Sequence, residues 1–204
     1  MPIPQLSITL RNANYIIDKL ETYRQQSQTL EVKYQYFIAE MIMLRLFAAL
    51  EDSIAQIAFK LAAGASYTNG LSPTLTTRAS NVTAARALFL QHGRPKPIIN
   101  LKWTQAKHIS DSVKYVIPTT EKFIENVRIH GRILNEMRII RNVLAHNSTS
   151  AKIDFKAMIR QIYGAQVPVT TGAFLTSTRR ISTSNLEKYL LSTKIILNDM
   201  TKGT

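Results

Sequence analysis

Apolar residues recur along most of this chain at intervals of three and four, the period of a helix with one buried face. Leu10, Ala13, Ile17 and Leu20 form such a stripe and predict a first helix over about 6–26. A longer one is expected over about 30–63, through Phe37, Met41, Leu44, Ala48, Ile54, Ala58 and Leu61, with Gly64 as its stop. Asn69-Gly70 and Ser72-Pro73 mark the turn-rich connection that follows. Helices are then expected over about 80–91, ended by His92-Gly93-Arg94-Pro95, and over about 104–116, ended by Pro118. Thr119 or Thr120 is placed to cap the next helix, which has Glu121 in its first turn and Gly131 as a point of kinking, and which reaches His146. Asn147-Ser148-Thr149-Ser150 breaks it, and a short helix follows over about 153–163. Residues 167–180 contain β-branched side chains, Pro168 and Gly172, and read as a loop or a small hairpin. Ser184-Asn185-Leu186-Glu187 is a capping box for a final helix over about 185–200. The pattern predicts an all-α bundle of six or seven helices, one domain over 1–204, with core helices over about 6–63 and 104–147.

Composition changes this picture little, and charge changes it more. A chain of 204 residues with 45% hydrophobic content can build one well-buried core. The absence of Cys removes disulfides, thiolate zinc sites and thiol nucleophiles. Met1-Pro2-Ile3-Pro4-Gln5 lacks a basic segment followed by an apolar run, so no signal peptide is expected. The most apolar stretch, over 36–63, is interrupted by Glu40, Arg45, Glu51, Asp52 and Lys60, which suits a core helix and not a membrane span. A cytoplasmic location is the expectation. Lys and Arg number 26 against 13 Asp and Glu, a net charge of +13. Residues 1–60 are neutral, with six of each sign, so the whole excess lies in 61–204. That asymmetry points to a polyanionic partner, most simply nucleic acid, through release of counterions from neutralised phosphates. The alternative is a basic protein kept soluble by its charge, or one that pairs with an acidic protein.

The chemistry-bearing residues then narrow the reading. His92, His108, His130 and His146 sit in no metal-ligand spacing, so no metal or other cofactor is expected. GxxxxGK[ST], GxGxxG and GxSxG are all absent. What remains is the end of the helix that reaches His146. Ile133, Met137, Ile140 and Leu144 give it an apolar stripe. At about 100° per residue, Asn135, Arg138, Asn142 and His146 fall within roughly 80° on the opposite side, with Arg141 at the edge of the stripe. A cation, an amide and an imidazole on one helix end suit chemistry on a phosphate. His titrates near neutrality, and Arg holds phosphate bidentately without titrating. Arg141 and His146 are about 140° apart on an ideal helix, so one helix alone is not expected to aim both at one phosphate.

Arg141-Asn142-Val143-Leu144-Ala145-His146 resembles the Arg-x4–6-His signature of the HEPN superfamily, helical proteins of toxin–antitoxin, phage-defence and RNA-processing systems. Asn142 directly after the Arg, and Asn147-Ser148 breaking the helix after the His, are similar to active members. A second match, Arg86-x5-His92, has Ala87 in the polar position and lies in a shorter helix, so Arg141–His146 is preferred. The resemblance implies a metal-independent endoribonuclease acting through the RNA 2′-OH, a toxin or phage-defence effector. It also implies a homodimer with two motifs facing each other, and an antitoxin or effector partner. Arg141 and His146 would be catalytic with Asn142 assisting, and Glu51, in the second helix, would be a supporting acid. Some relatives carry a Tyr two residues after the His, where this chain has Ser148, so regulation by modification of that Tyr is not expected.

Arg138, Arg179, Arg180 and Lys102 are the further RNA-binding candidates; the two at 179 and 180 stand among hydroxyls. Trp103, Tyr34 and Tyr36 are available to stack bases or to fill a core. The competing reading is a non-catalytic basic helical module that binds RNA or a partner protein. In it, Arg141 pairs with Glu136 or Glu51 and His146 only meets the helix dipole.

Overall fold

The computed structural model describes residues 4–179 and 182–203. Among them there are nine helices and no strand: α1 (Leu6–Ser27), α2 (Val32–Ala62), α3 (Val82–Gln91), α4 (Ala106–Val113), α5 (Lys122–Ile129), α6 (Gly131–His146), α7 (Thr149–Tyr163), α8 (Thr171–Thr176) and α9 (Asn185–Lys202). The chain is an all-α bundle.

Helix α2 is its axis. It packs against α1, α3, α6, α8 and α9. Its inward positions, among them Met43, Leu46, Phe47, Leu50, Ile54, Ile57, Ala58 and Leu61, are almost completely removed from water. A helix that contacts this many neighbours needs apolar residues around much of its circumference, which is why its stripe is broad. The buried cluster is continuous from Leu6 in α1 to Met200 in α9. No helix among the described residues is long and apolar enough to cross a membrane.

Two differences from the expected six or seven helices have identifiable causes. The helix expected to run from residue 119 or 120 to His146 is two, α5 and α6, meeting at His130. There His130 Nε2 bonds Asp199 Oδ2 of α9 at 2.9 Å, and Asn126 Nδ2 donates to the Asp199 carbonyl at 3.0 Å. Gly131, a weak helix former, follows immediately, so the break costs little. Neither threonine caps α5. Its N-cap position is Glu121, whose carboxylate accepts from Tyr67 Oη at 2.7 Å and the Thr74 amide at 2.8 Å. Burial and that carboxylate both hold the Tyr67 phenol well above its ordinary range.

The other difference is α8. Thr170 caps it by accepting from the Ala173 amide, and Gly172 lets it approach α2 closely, since a Cβ there would lie 2.5 Å from that of Tyr36. The segment after Val167 is therefore a loop carrying a short helix and not a hairpin. Helix α7 also begins four residues before the expected 153, because Ser148 caps it through the Ala151 amide. Ser184 caps α9 as expected, its Oγ accepting from the Glu187 amide at 3.2 Å, while the Glu187 carboxylate meets Arg24 of α1 at 3.3 Å.

Candidate active site at the end of helix α6

Helix α6 is held from two sides. Leu134, Met137 and Ile140 point into the core. Glu136, buried in the same face, accepts from Arg132 at 3.0 Å, from Lys188 of α9 at 3.2 Å and from Tyr189 Oη at 3.1 Å. With that side fixed, Arg138, Arg141, Asn142 and His146 are left half-buried to exposed. The helix closes on Asn147 in the left-handed region (φ 47°), whose amide donates to the Val143 carbonyl at 3.1 Å. Asn tolerates that conformation better than most L-residues.

Arg141 and His146 meet within one chain, which corrects the expectation from ideal helix geometry. Arg141 Nη1 lies 3.2 Å from His146 Nε2 and donates to Asn142 Oδ1 at 3.2 Å. The long guanidinium arm, reaching C-terminally, spans the angle that the backbone positions alone leave open. Because a guanidinium only donates, the contact is a hydrogen bond in the tautomer whose Nε2 carries no hydrogen. Asn142 bonds the guanidinium and not the ring.

Helix α2 supplies the floor. The Arg141 guanidinium carbon sits 5.9 Å from the ring centre of Phe47, at the outer edge of cation–π range. One turn further, half-buried Glu51 feels Arg141 without touching it. Burial, the larger influence, holds its carboxyl above the usual range; Arg141 pulls it down, and Asp52 pushes it up. Among the described residues neither Glu51 nor Glu136 forms an ion pair with Arg141, so its charge has no carboxylate within 4 Å. The salt-bridged guanidinium of the non-catalytic reading is not present in that form.

The other candidates fall in two places. Lys102 and Arg138 both act electrostatically on His108 of α4. Its ring nitrogens meet Thr104 Oγ1 at 2.8 Å and Gln105 Nε2 at 2.9 Å. Burial lowers the His108 pKa first, and the positive charges of Lys102, Arg138 and Lys107 lower it further, against a smaller opposing pull from Asp111. Arg138 also donates to Asn135 Oδ1 at 3.0 Å. Arg179 is exposed and lines a separate recess with Tyr36 and Tyr163, to which Arg141, Asn142 and His146 do not contribute. Arg180 lies outside the described residues. Arg86 and His92, the second motif copy, are exposed and share no hydrogen bond. Trp103 packs edge-on against Phe59 and Phe89, so it is a core residue.

His108 and Phe47 were not among the site residues legible in the sequence. Phe47 carried no signal beyond its place in an apolar stripe. His108 offered a weak one, a polar Thr104 four residues earlier on the same helical face. A recess of about 770 Å³ between α1 and α2, lined by Tyr15, Ile16, Tyr23, Leu30, Met41 and Arg45, contains none of the Arg–His residues. Among the described residues no three His, Asp or Glu side chains gather into a metal-binding group.

The fold and site together define an all-helical bundle with an Arg–Asn–His arrangement on the last turns of one helix, backed by an aromatic ring and a carboxyl of its longest helix. No protein-family model, no curated protein and no solved structure matches this chain.

Proposed function

We propose that this chain is a HEPN-type endoribonuclease that cleaves RNA through its own 2′-OH without a metal ion, acting as a toxin or phage-defence effector. The observation that carries the reading is the contact of Arg141 with both Asn142 and His146, made by a guanidinium that forms no ion pair with a carboxylate among the described residues. Such a cation is free to exchange its hydrogen bond to His146 for a phosphate oxygen. The exchange releases Nε2 of a neutral imidazole, which then takes the proton of the 2′-OH. The 2′-oxygen attacks the adjacent phosphorus, the bond from phosphorus to the 5′-oxygen breaks, and that oxygen takes up a proton. The products are a 2′,3′-cyclic phosphate and a 5′-hydroxyl, with Arg141 offsetting the charge gathered on the phosphoryl oxygens. Asn142 holds the guanidinium in place. One imidazole does not serve readily as base and acid in the same step, so the acid comes from a second copy in a homodimer. Glu51 supports Arg141 through its field. An antitoxin or effector protein restrains the activity.

The test is incubation of RNA with wild type and with His146→Ala in EDTA. Wild type leaves 2′,3′-cyclic ends and the variant leaves substrate intact, with activity down at least about 10²-fold. Full activity in the variant overturns the assignment. One feature favours the non-catalytic module as the second reading: the Arg141–His146 bond is also a complete surface contact in itself. On that reading Arg141→Ala keeps salt-dependent RNA or partner binding, yields no product from either protein, and lowers the melting temperature.

A further inference from the structure

Helix α7 leaves the site across only Asn147 and Ser148. Its inward face is fully used: Ala151, Phe155, Met158, Ile159 and Ile162 are buried. Beside that face stand Lys152, Lys156 and Arg160, all exposed. Their spacing of four places them in one row, about 6 Å per step along the axis and drifting by only about 40° per step. Among the described residues none of the three has a carboxylate within 4 Å, whereas Lys188 and Lys194 of α9 are bound to Glu136 and Asp18. The sole acid of α7, Asp154, lies at least about 120° round the helix from each of them. Lys156 and Arg160 also edge an open recess of about 500 Å³ with Gln161, Gly164 and Gln166.

We infer that this row is a track for the phosphates of single-stranded RNA running to or from the Arg141–His146 turn. Three unpaired cations in a line, at intervals of roughly one nucleotide of extended strand, match a single backbone. The row has no aromatic side chain, so it holds phosphates and does not read bases; binding along it is independent of sequence. Packing does not require these charges, because the core of α7 lies on other positions. The inference rests on RNA being the partner, as proposed above, and it adds where the strand lies.

A fluorescent 2′-O-methyl oligouridylate, which lacks the attacking hydroxyl, reports binding without cleavage. Its affinity is measured by anisotropy across a salt series for wild type, for K152Q/K156Q/R160Q and for R11Q/K19Q/K33Q. The two triple variants lose the same charge from different helices. Loss of three single-strand phosphate contacts reduces the slope of log affinity against log salt by about 2, and at low salt binding weakens about tenfold or more. That result is expected for the α7 variant only. Equal slopes in both triples overturn the track, as does failure of wild type to bind, and an equal α7 effect on duplex RNA overturns the single-strand assignment. If the α7 triple melts early, the single variants replace it, each expected to reduce the slope by about 0.7. Cleavage that persists in His146→Ala while the α7 effect holds removes the nuclease and keeps the track. Cleavage abolished in His146→Ala with an unchanged α7 slope does the reverse.

Discussion

At the scale of single residues, Glu51 is the group whose environment says most. Burial is the stronger influence on its carboxyl, and Arg141 only partly offsets it. A folded pKa above the unfolded value means that the native state holds the proton more firmly. The associated stability is complete below the unfolded pKa, near about 4.3, and is lost as pH rises through the folded pKa. Glu51→Gln is therefore expected to melt higher than wild type at about pH 7, and the gain should vanish near about pH 4. Thermal melts at the two pH values decide it. A variant that melts lower at neutral pH shows that the attraction to Arg141 outweighs desolvation.

At the scale of elements, the placement of the site depends on a few ties between helices. Glu136 couples α6 to α9, 6% exposed, with Lys188 and the Tyr189 hydroxyl on the far side. Glu136→Ala removes the carboxylate to which Lys188 and the Tyr189 hydroxyl both donate and is expected to cost about 3–5 kcal/mol in urea unfolding. A loss under about 1 kcal/mol would mean that α9 is held by its apolar contacts alone. These ties also explain what the sequence could and could not convey. The stripes of α1, α2 and α9 are local and periodic, so those helices were legible, as was the Ser184 cap. The break at His130 was visible only as Gly131, because its cause, Asp199, lies 69 residues away. Likewise, Glu121 was read as a first-turn acid, and only the fold shows it recruited by Tyr67 and Thr74. The Arg141–His146 motif was legible as residues, but its convergence was not. Helical angles locate Cα atoms, and an arginine arm is long enough to override them.

At the scale of the whole molecule, the charge division has a structural counterpart. The neutral first 60 residues build α1 and most of the α2 axis, and the elements added after them carry the net charge of +13. A homodimer that supplies the second imidazole should sediment at twice the 23.0 kDa of one chain at assay concentrations. Catalysis by a species of one chain's mass would show that the second copy is not needed. If the chain binds RNA as proposed, raising salt should weaken that binding far more than it weakens folding, since the folded core is apolar and the row on α7 is exposed.

The two-residue joint at Asn147 and Ser148 gives α6 and α7 no slack. Asn147 is committed to its left-handed turn by its bond to Val143, and Ser148 is committed to capping α7. Two stiff rods so joined act as a crank. A partner that held α7 along its length would therefore act on the turn where α6 ends, which carries His146. On the reading proposed above, a strand that engaged the far end of α7 would bear on His146 as well, and its length would be felt at the proposed site.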